Sequence, residues 1–399
     1  MTPIASDSRL CTGCLACLNV CPQDAVVVTQ DALGRTVPMI ATDQCSGCGR
    51  CVRICPANSA PVFHPVLQCL AAYSKDEEDR RKSSSGGLAA ILARRILDDG
   101  GVVFGAAYDA RHQVAHVEVA ARADMARLRG SKYAQSHVGL TYRLAQRHLR
   151  AGRKVLYVGT PCQIDGLVRY LGADWPRLVA VDLVCHGTPP AQYLAEHLRS
   201  IRPAADVADV AFRGAHDYHL TVSSRARTEY CQPYRADTYF QAFMDGLSLR
   251  ENCYHCPYAH PRRVADVTLG DFWKLDRSRL QRPYEGKISL VLINTAKGMR
   301  LWAQIQDACH WEEVPWSHAL PGNAQLNAAP APDADRPRFE RAYPRLGFEK
   351  AVRKTHVGRD VAAFRRRQRF HSGFAYRWLK KIRSTILPPR FHPPERKTP

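Results

Sequence analysis

The sequence predicts an α/β (α+β) protein in three parts: a small cysteine-rich N-terminal domain, a mixed α/β domain and a basic, partly helical C-terminal tail. Three observations predict this. Eight of the 15 cysteines lie in the first 55 residues, two strand–turn–helix units lie mid-chain, and positive charge is concentrated at the end. We predict a first domain at 1–63, a linker at 64–87, an α/β domain at 88–320, and an Ala/Pro-rich segment with the basic tail at 321–399.

Two matched cysteine runs define the N-terminal domain. CTGCLACLNVCP and CSGCGRCVRICP begin at Cys11 and Cys45, and each reads C-x2-C-x2-C-x3-C-P. This spacing is typical of a bacterial two-cluster ferredoxin, in which the fourth cysteine of each run binds the other cluster. We therefore predict two [4Fe–4S] clusters, one on Cys11, Cys14, Cys17 and Cys55 and the other on Cys45, Cys48, Cys51 and Cys21. The alternatives are disulfides and structural zinc, although zinc sites use pairs of C-x2-C.

Length and composition limit the class of protein. A chain of 399 residues has room for one or two domains beyond a ferredoxin module. The sequence contains no run of 18 or more apolar residues, so no membrane span is predicted. The N-terminus has neither a signal-peptide nor a transit-peptide pattern, and thiolates with clusters need a reducing compartment. We expect a cytoplasmic protein.

The formal charge of +20 is concentrated at the C-terminus. From Arg336 onward there are 19 Lys and Arg against 4 Asp and Glu, with interleaved aromatic residues at Phe364, Phe370, Phe374, Tyr376 and Trp378. Such a tail could dock on an anionic membrane surface or on a protein partner. The alternative is a solvated basic helix with a disordered Pro-rich end. Because the rest of the chain is only mildly basic, we expect no nucleic-acid partner.

The central domain has the pattern of a parallel sheet. Residues 154–158 and 178–184 are short apolar strands, each followed by a turn and a helix. Ligands bind at the carboxyl ends of such strands. Cys162 and Cys185 follow the two strands, so we expect both thiols at the same edge of the sheet.

Other elements follow from periodicity and helix-stop signals. A helix starts at Leu88 and stops at Gly100, and a second helix ends near Gly152. Strands are predicted at 101–109 and 116–121, and the pattern becomes β-rich from about Asp206.

A further C-x2-C pair, Cys253 and Cys256, is a half-site for a metal. Together with Cys162 and Cys185 it offers four thiolates for a third [4Fe–4S] cluster. Alternatively, the pair binds zinc or is redox-active, and Cys162 and Cys185 are active-site thiols. Packing in the core is expected for the remaining cysteines, which are Cys69, Cys231 and Cys309.

Two polar motifs are candidates for a cofactor site. SSSGG at residues 83–87 directly precedes a helix, and hydroxyls with helix N–H groups favour a phosphate or pyrophosphate. An ordinary helix cap is the alternative. In RGSKYAQS at residues 129–136, Lys132 and Tyr133 could contact a charged, planar cofactor, and a polar surface loop is the alternative.

In this order the motifs resemble the beta-subunit family of coenzyme F420 hydrogenases and F420-linked dehydrogenases, in the bacterial form with an N-terminal two-cluster ferredoxin. The resemblance covers roughly residues 11–295 and rests on the two cysteine runs, SSSGG, GSKYAQS, GTPCQIDGL, DLVCHGTPP, the C-x2-C pair and ADVTLGDFW. It implies FAD in the α/β domain beside an iron–sulfur cluster, with hydride exchange at the flavin and single electrons leaving through the clusters.

The resemblance also implies roles for particular residues. Flavin contacts are expected from Ser84, Ser85, Gly86, Gly87, Ser131, Lys132, Tyr133 and Thr160, and the flavin-proximal cluster is expected on Cys162, Cys185, Cys253 and Cys256. His186 and Asp271 could tune the flavin or supply a proton. The alternatives for these two are a satisfied histidine and a capping aspartate.

We therefore expect a flavin-dependent iron–sulfur oxidoreductase. A hydride donor or acceptor, or a small organic substrate, reacts at FAD, and the redox partner is a protein such as ferredoxin or a catalytic subunit. Relatives include deazaflavin-linked enzymes, a ferredoxin-driven reductase and proteins associated with bacterial surface-polysaccharide synthesis. The alternatives are an electron-transfer adaptor without a substrate of its own and a docking protein with sensory clusters.

Overall fold

The computed structural model describes residues 2–203, 206–213 and 218–372. The part of the predicted tail beyond residue 372, with Phe374, Tyr376 and Trp378, lies outside the described residues. The predicted fold class is confirmed: a small N-terminal domain packs against a larger mixed α/β domain. Within the described ranges, no helix is both long enough and apolar enough to cross a membrane.

The described residues form three sheets. Their strands are β1 Thr2–Pro3, β2 Val26–Gln30, β3 Thr36–Ile40, β4 Gln68–Ser74, β5 Val102–Tyr108, β6 Val114–Val119, β7 Val155–Gly159, β8 Leu178–Leu183, β9 Asp209–Ala211, β10 His219–Ser223, β11 Thr228–Pro233, β12 Val267–Asp271, β13 Ser289–Ile293 and β14 Cys309–Glu313.

Helices lie between and after the strands. They are α1 Ala16–Val20, α2 Arg50–Arg53, α3 Glu77–Arg81, α4 Leu88–Asp98, α5 Thr141–Arg150, α6 Pro161–Leu171, α7 Ala191–Ile201, α8 Thr238–Met244, α9 Glu251–Tyr254, α10 Ala296–Ile305, α11 Trp316–Ala319, α12 Arg336–Arg353 and α13 His356–Ser372.

The central sheet has eight strands in the order β14-β4-β13-β12-β8-β7-β5-β6. The four neighbours β12, β8, β7 and β5 run parallel, and the strands outside them are antiparallel to their neighbours. The two predicted strand–turn–helix units are β7–α6 and β8–α7. Their carboxyl ends meet at one edge, as the sequence predicts. The other sheets, β1-β3-β2 in the N-terminal domain and β11-β10-β9, are antiparallel.

The predicted linker at residues 64–87 is part of the central sheet. β4 pairs with β13 on one side and with β14 on the other, and its residues Leu70 and Ala72 are completely buried. The charged stretch that suggested a linker forms α3 and the turn after β4. The charged residues follow the end of the buried strand β4, because polar residues are needed where the chain reaches solvent.

The predicted boundary at residue 321 does not separate the basic segment from the domain. α12 and α13 pack on α7 and α8, and Phe339, Phe348 and Val357 are buried in the same core as Tyr193 and Tyr239. The basic residues therefore belong to amphipathic helices whose apolar faces complete this core.

A buried ionic network fastens α12 to α7 and α8. His197 of α7 contacts the Asp237 carboxylate through Nε2 (2.8 Å) and the Glu349 carboxylate through Nδ1 (2.5 Å). Tyr230 also donates to Asp237 (2.7 Å). Burial alone would lower the pKa of His197, but the two carboxylates raise it to about 9. Burial of Asp237 is likewise outweighed by His197, so that the pKa of Asp237 is lowered.

We expect the His197→Gln variant to lose on the order of 3 kcal/mol of unfolding free energy at neutral pH, because two buried carboxylates lose their cation. The folded pKa of His197, about 9, lies above its ordinary value of 6.5. Its contribution is thus fully present below about pH 6.5 and is lost as the pH rises through about 9. The lowered pKa of Asp237 adds stability above about pH 4 that is lost in acid.

Urea unfolding at neutral pH and at about pH 10 measures this effect. The difference between wild type and variant should shrink at the higher pH. His318→Gln, at a half-exposed histidine, should change stability by less than about 0.5 kcal/mol. An unchanged wild-type-to-variant difference at both pH values would contradict the prediction.

Candidate functional site

The last cysteine of each run lies beside the first three cysteines of the other run. Cys55 is near Cys11, Cys14 and Cys17, and Cys21 is near Cys45, Cys48 and Cys51. Burial raises the pKa of Cys17 well above its usual range, and the thiols of Cys14, Cys11 and Cys55 raise it further. These four thiols therefore lie within electrostatic reach of one another. The Gly13 backbone has a φ of +66°, and a Cβ atom there would lie 2.2 Å from Gln135 Nε2, so only glycine fits this turn.

The second quartet is nearer to solvent. Cys21, Cys45, Cys48 and Cys51 line one cavity, and burial raises the pKa of Cys51, with Cys21 and Cys45 adding to the rise. Cys45 and Cys48 are exposed. Backbone N–H donation from Arg50 lowers the pKa of Cys48, which favours the thiolate. The first quartet is thus the more buried of the two, with Cys14 and Cys17 buried, and the second is the more exposed.

The four downstream cysteines meet at the carboxyl edge of the central sheet. Cys162 lies in the first turn of α6 after β7, Cys185 follows β8, and Cys253 and Cys256 lie in and after α9. Burial raises the pKa of Cys162 well above its usual range, and Cys185, Cys256 and Cys253 raise it further. The Thr160 hydroxyl lies 3.2 Å from Cys162 Sγ, where it can donate to a thiolate. Long-range folding has gathered three separate sequence segments into one thiol quartet.

Among the residues that the structure describes, no three His, Cys, Asp or Glu side chains are placed to share a single metal ion. In a [4Fe–4S] cluster each of the four cysteine thiolates binds a different iron, so the four thiols do not converge on one ion.

Helix α6 brings the downstream quartet next to the first quartet. Gly166 lies one turn after Cys162 on the same face, and a Cβ atom there would lie 2.9 Å from Cys14 Sγ. Burial raises the pKa of Tyr142 and of Tyr258, and Cys14 and Cys162 raise both values further. The two sites therefore lie about one turn of α6 apart, with both tyrosines near each of them.

Arg250 bridges the two domains at the same place. Its side chain is only 3% exposed and donates to the carbonyl oxygens of Cys11 (2.8 Å) and Thr36 (3.2 Å). It also donates to Gln135 Oε1 (2.8 Å) and Asn252 Oδ1 (3.2 Å). All four acceptors are neutral, and within the described ranges Arg250 has no carboxylate partner. Its charge lowers the pKa of Cys253, although burial raises that pKa overall.

The two polar motifs predicted to contact a cofactor are adjacent in the structure. Ser84 Oγ accepts from the Ser131 backbone N–H (2.8 Å) and from the Ser131 hydroxyl (2.9 Å). Ser85 bonds to the Ile288 carbonyl and to Ser289. Gly86 donates to Ser289 Oγ, and Gly87 is the N-cap of α4, which has no side-chain cap.

Lys132 and Tyr133 follow Ser131 in the second of these motifs. Lys132 Nζ donates to the carbonyls of Arg129 (2.7 Å) and Arg127 (3.3 Å), and burial lowers its pKa to about 8. It lies 6.0 Å from the Tyr108 ring, whose buried hydroxyl has no partner in the described part of the chain. Tyr133 stacks on Phe243 with ring centroids 4.7 Å apart.

Both predicted proton-handling residues have internal partners. Asp271 forms an ion pair with the buried guanidinium of Arg213, which also lies over the Tyr218 and Trp273 rings. Burial alone would lower the pKa of Arg213, but the Asp271 carboxylate raises it.

His186 is also occupied by hydrogen bonds. Its Nε2 donates to the Phe243 carbonyl (3.1 Å), and its Nδ1 accepts from Gln325 (3.1 Å). Burial lowers the pKa of His186, which keeps the ring neutral at neutral pH. The sequence predicted both His186 and Asp271 but neither Arg213 nor Arg250, because their partners lie in other segments and follow no local pattern.

The fold and the interleaved cysteines define an iron–sulfur redox protein with a dicluster domain fused to a mixed α/β domain. Residues 10–59 match the family model for a 4Fe-4S dicluster domain. Residues 152–318 match the family model for the C-terminal part of the beta subunit of coenzyme F420 hydrogenase/dehydrogenase. The two matched segments together support the resemblance of the chain to the F420 hydrogenase beta-subunit family.

A comparison with solved structures matches a chain of the F420-reducing [NiFe] hydrogenase complex from Methanosarcina barkeri. The two chains are 19% identical with a TM-score of 0.41, over 73% of this chain and 92% of the other. A comparison with the curated proteins gives no match.

Proposed function

We propose that the chain is a flavin-dependent iron–sulfur oxidoreductase with three [4Fe–4S] clusters. The observation that carries this proposal is the order of the thiol quartets. In the downstream quartet at the sheet edge, Cys253 is buried and Cys162, Cys185 and Cys256 are half-buried; the first quartet lies one turn of α6 away, and the second has exposed thiols. Electrons from a buried site can therefore reach the surface through the N-terminal domain.

The proposed third cluster is bound by Cys162, Cys185, Cys253 and Cys256. Their burial suits a cluster, because its net charge is spread over several irons and sulfurs. The Thr160 hydroxyl and the Gly187 backbone N–H (3.4 Å from Cys185 Sγ) are placed to donate to thiolate sulfur. Such hydrogen bonds set the reduction potential.

The proposed flavin site is formed by the two polar motifs. The uncapped start of α4 leaves backbone N–H groups available for a pyrophosphate. Ser84 and Ser131 supply hydroxyls, and Lys132 supplies a buried cation whose described hydrogen-bond acceptors are carbonyls. Bound FAD would supply the conversion between two-electron and one-electron chemistry.

We propose that the substrate is a small molecule that exchanges a hydride, such as a deazaflavin coenzyme, or one reduced with ferredoxin electrons. The two electrons of a hydride leave singly through the clusters, and its proton is released. The redox partner is a ferredoxin or a catalytic subunit, in the cytoplasm. Roles of Asp271 and His186 in tuning or proton transfer belong to this proposal.

A second candidate is an electron-transfer adaptor without its own substrate, for example in surface-polysaccharide synthesis. The internal pairing of Asp271 with Arg213 and of His186 with Phe243 and Gln325 favours this reading, since neither group is free to exchange a proton.

Anaerobic purification followed by iron, sulfide and flavin analysis tests the proposal. We expect about twelve irons and about one FAD per chain. Visible spectra during titration with reduced deazaflavin, NAD(P)H or reduced ferredoxin should show flavin and cluster reduction, with turnover of the isolated chain. Absence of flavin after reconstitution would refute the flavoprotein, and reduction without turnover would favour the adaptor.

A further inference from the structure

The outer surface of the two C-terminal helices is a continuous basic face, and we propose that it docks the protein on an anionic membrane surface. The proposal is independent of the cofactors. The surface consists of folded helices. The partner is a bilayer rich in anionic lipid headgroups.

The first part of α12 shows how the face is built. Phe339 and Tyr343, one turn apart, are buried against the domain. Arg338, Arg341 and Arg345 are exposed on the opposite side with spacings of three and four residues. This spacing places all three guanidinium groups in one stripe.

The pattern continues after the kink at Gly347. Lys350, Arg353 and Lys354 are exposed at spacings of three and four residues, while Phe348 is buried on the other side. Arg338 donates to the Lys354 carbonyl (3.3 Å), so the first and second stripes meet.

Helix α13 adds a third stripe. Val357 and Val361 are buried, and Arg365 reaches inward to the Ala236 carbonyl (2.6 Å). Arg359 and Arg366 are exposed two turns apart on the outer side. Both helices pack on α8, so their outer sides belong to the same surface of the molecule.

Few acidic residues neutralise this face: Asp335 lies 3.9 Å from the exposed Arg338. Glu340 is ion-paired with the buried Arg336 (2.7 Å), and Glu349 contacts His197 (2.5 Å). Of the acidic residues between 336 and 372, only Asp360 is exposed. Uncompensated like charges on helix surfaces are unfavourable unless an anionic partner binds them.

A membrane fits this face better than a nucleic acid. Binding of single strands uses several exposed aromatic rings for stacking, whereas Phe339, Tyr343 and Phe348 are buried and, among the described aromatic residues of α12 and α13, only Phe370 is exposed (58%). Leu346, which is 40% exposed, lies among the basic residues. The sequence after Ser372 continues with Phe374, Tyr376, Trp378 and Leu379, interleaved with Arg377 and followed by Lys380, a composition typical of segments at the membrane interface.

The test is co-sedimentation of the full-length protein with vesicles of phosphatidylcholine, alone or with phosphatidylglycerol. The face variant replaces Arg338, Arg341, Arg345, Lys350, Arg353 and Lys354 by glutamine. The control variant removes the same number of exposed charges elsewhere, at Arg81, Arg111, Arg147, Arg150, Arg225 and Lys274. Circular dichroism and the visible absorbance of the clusters confirm that both variants are folded.

We expect the wild type to bind only the anionic vesicles, with binding that weakens as salt is raised. The face variant should lose at least about tenfold in partitioning, and the control less than about twofold. A tail variant with Arg377, Lys380, Lys381 and Arg383 replaced by glutamine separates the two segments. Loss in the tail variant alone, equal loss in the control, no vesicle binding, or binding only to an RNA oligonucleotide would each overturn the proposal.

Discussion

Replacing both Cys253 and Cys256 by serine is expected to remove about four irons per chain and to lower substrate turnover by more than about 100-fold. The two thiols complete the downstream quartet, and their loss leaves Cys162 and Cys185 as only half a site. The N-terminal quartets are formed by other cysteines, so their two clusters should remain. Iron and sulfide analysis, with the electron paramagnetic resonance spectrum of the reduced protein, measures the change.

A matched control removes two thiols from outside the quartets. Cys231 and Cys309 lie in β11 and β14, and Cys309 is buried with a weak contact to the Ile305 carbonyl (3.7 Å) that serine can also make. The Cys231→Ser/Cys309→Ser variant should keep about twelve irons. A wild type with only about eight irons, or one zinc per chain that disappears in the Cys253/Cys256 variant, would contradict the third cluster.

The sequence predicted the elements whose signals are local. The helix α4, the strands β5 to β8 and the two strand–turn–helix units follow from periodicity and stop signals within about 15 residues. β4 was missed because the charged stretch after it was taken to characterise the whole segment 64–87. α12 and α13 were assigned to a tail because net charge outweighed the buried aromatic residues Phe339 and Phe348, whose partners lie in α7 and α8.

In the candidate site, too, residues with a local sequence signal were predicted and residues held by distant segments were not. The twelve cysteines proposed as cluster ligands were named from the two runs, the strand ends of β7 and β8 and the C-x2-C pair, and their role as ligands stays a prediction. Arg250 could not be predicted. Its contact with the Cys11 carbonyl joins residues 239 positions apart, and no local pattern marks a basic residue whose partners are carbonyl oxygens. Such residues are recognised only when the domains are seen together.

Arg250→Met is expected to lower the midpoint potentials of the clusters on either side of it by on the order of 100 mV. Arg250 lies between the Cys11 carbonyl and Cys253, buried and without a carboxylate partner among the described residues. Reduction adds negative charge to a cluster, and a nearby cation favours the reduced form. A unit charge about 8 Å away contributes roughly 2 kcal/mol at an effective dielectric constant of about 20, and about 1.4 kcal/mol corresponds to about 59 mV for one electron.

Two further variants separate charge from packing. Arg250→Lys retains the cation but loses most of the hydrogen bonds, so it should recover most of the potential while the domains are held less firmly. Arg143→Met is the matched control, because it also removes an arginine that bridges the two domains. Arg143 donates to the carbonyls of Asn19 (2.7 Å) and Cys21 (2.7 Å). Arg143 is already paired with Asp24 (2.8 Å), so its removal should change stability more than potential.

Anaerobic redox titration followed by electron paramagnetic resonance distinguishes these cases. Unchanged potentials in Arg250→Met, or equal shifts in Arg250→Met and Arg143→Met, would show that Arg250 serves only to hold the domains together. A shift in Arg250→Met that Arg250→Lys reverses would instead identify a buried positive charge whose counterions are the clusters themselves.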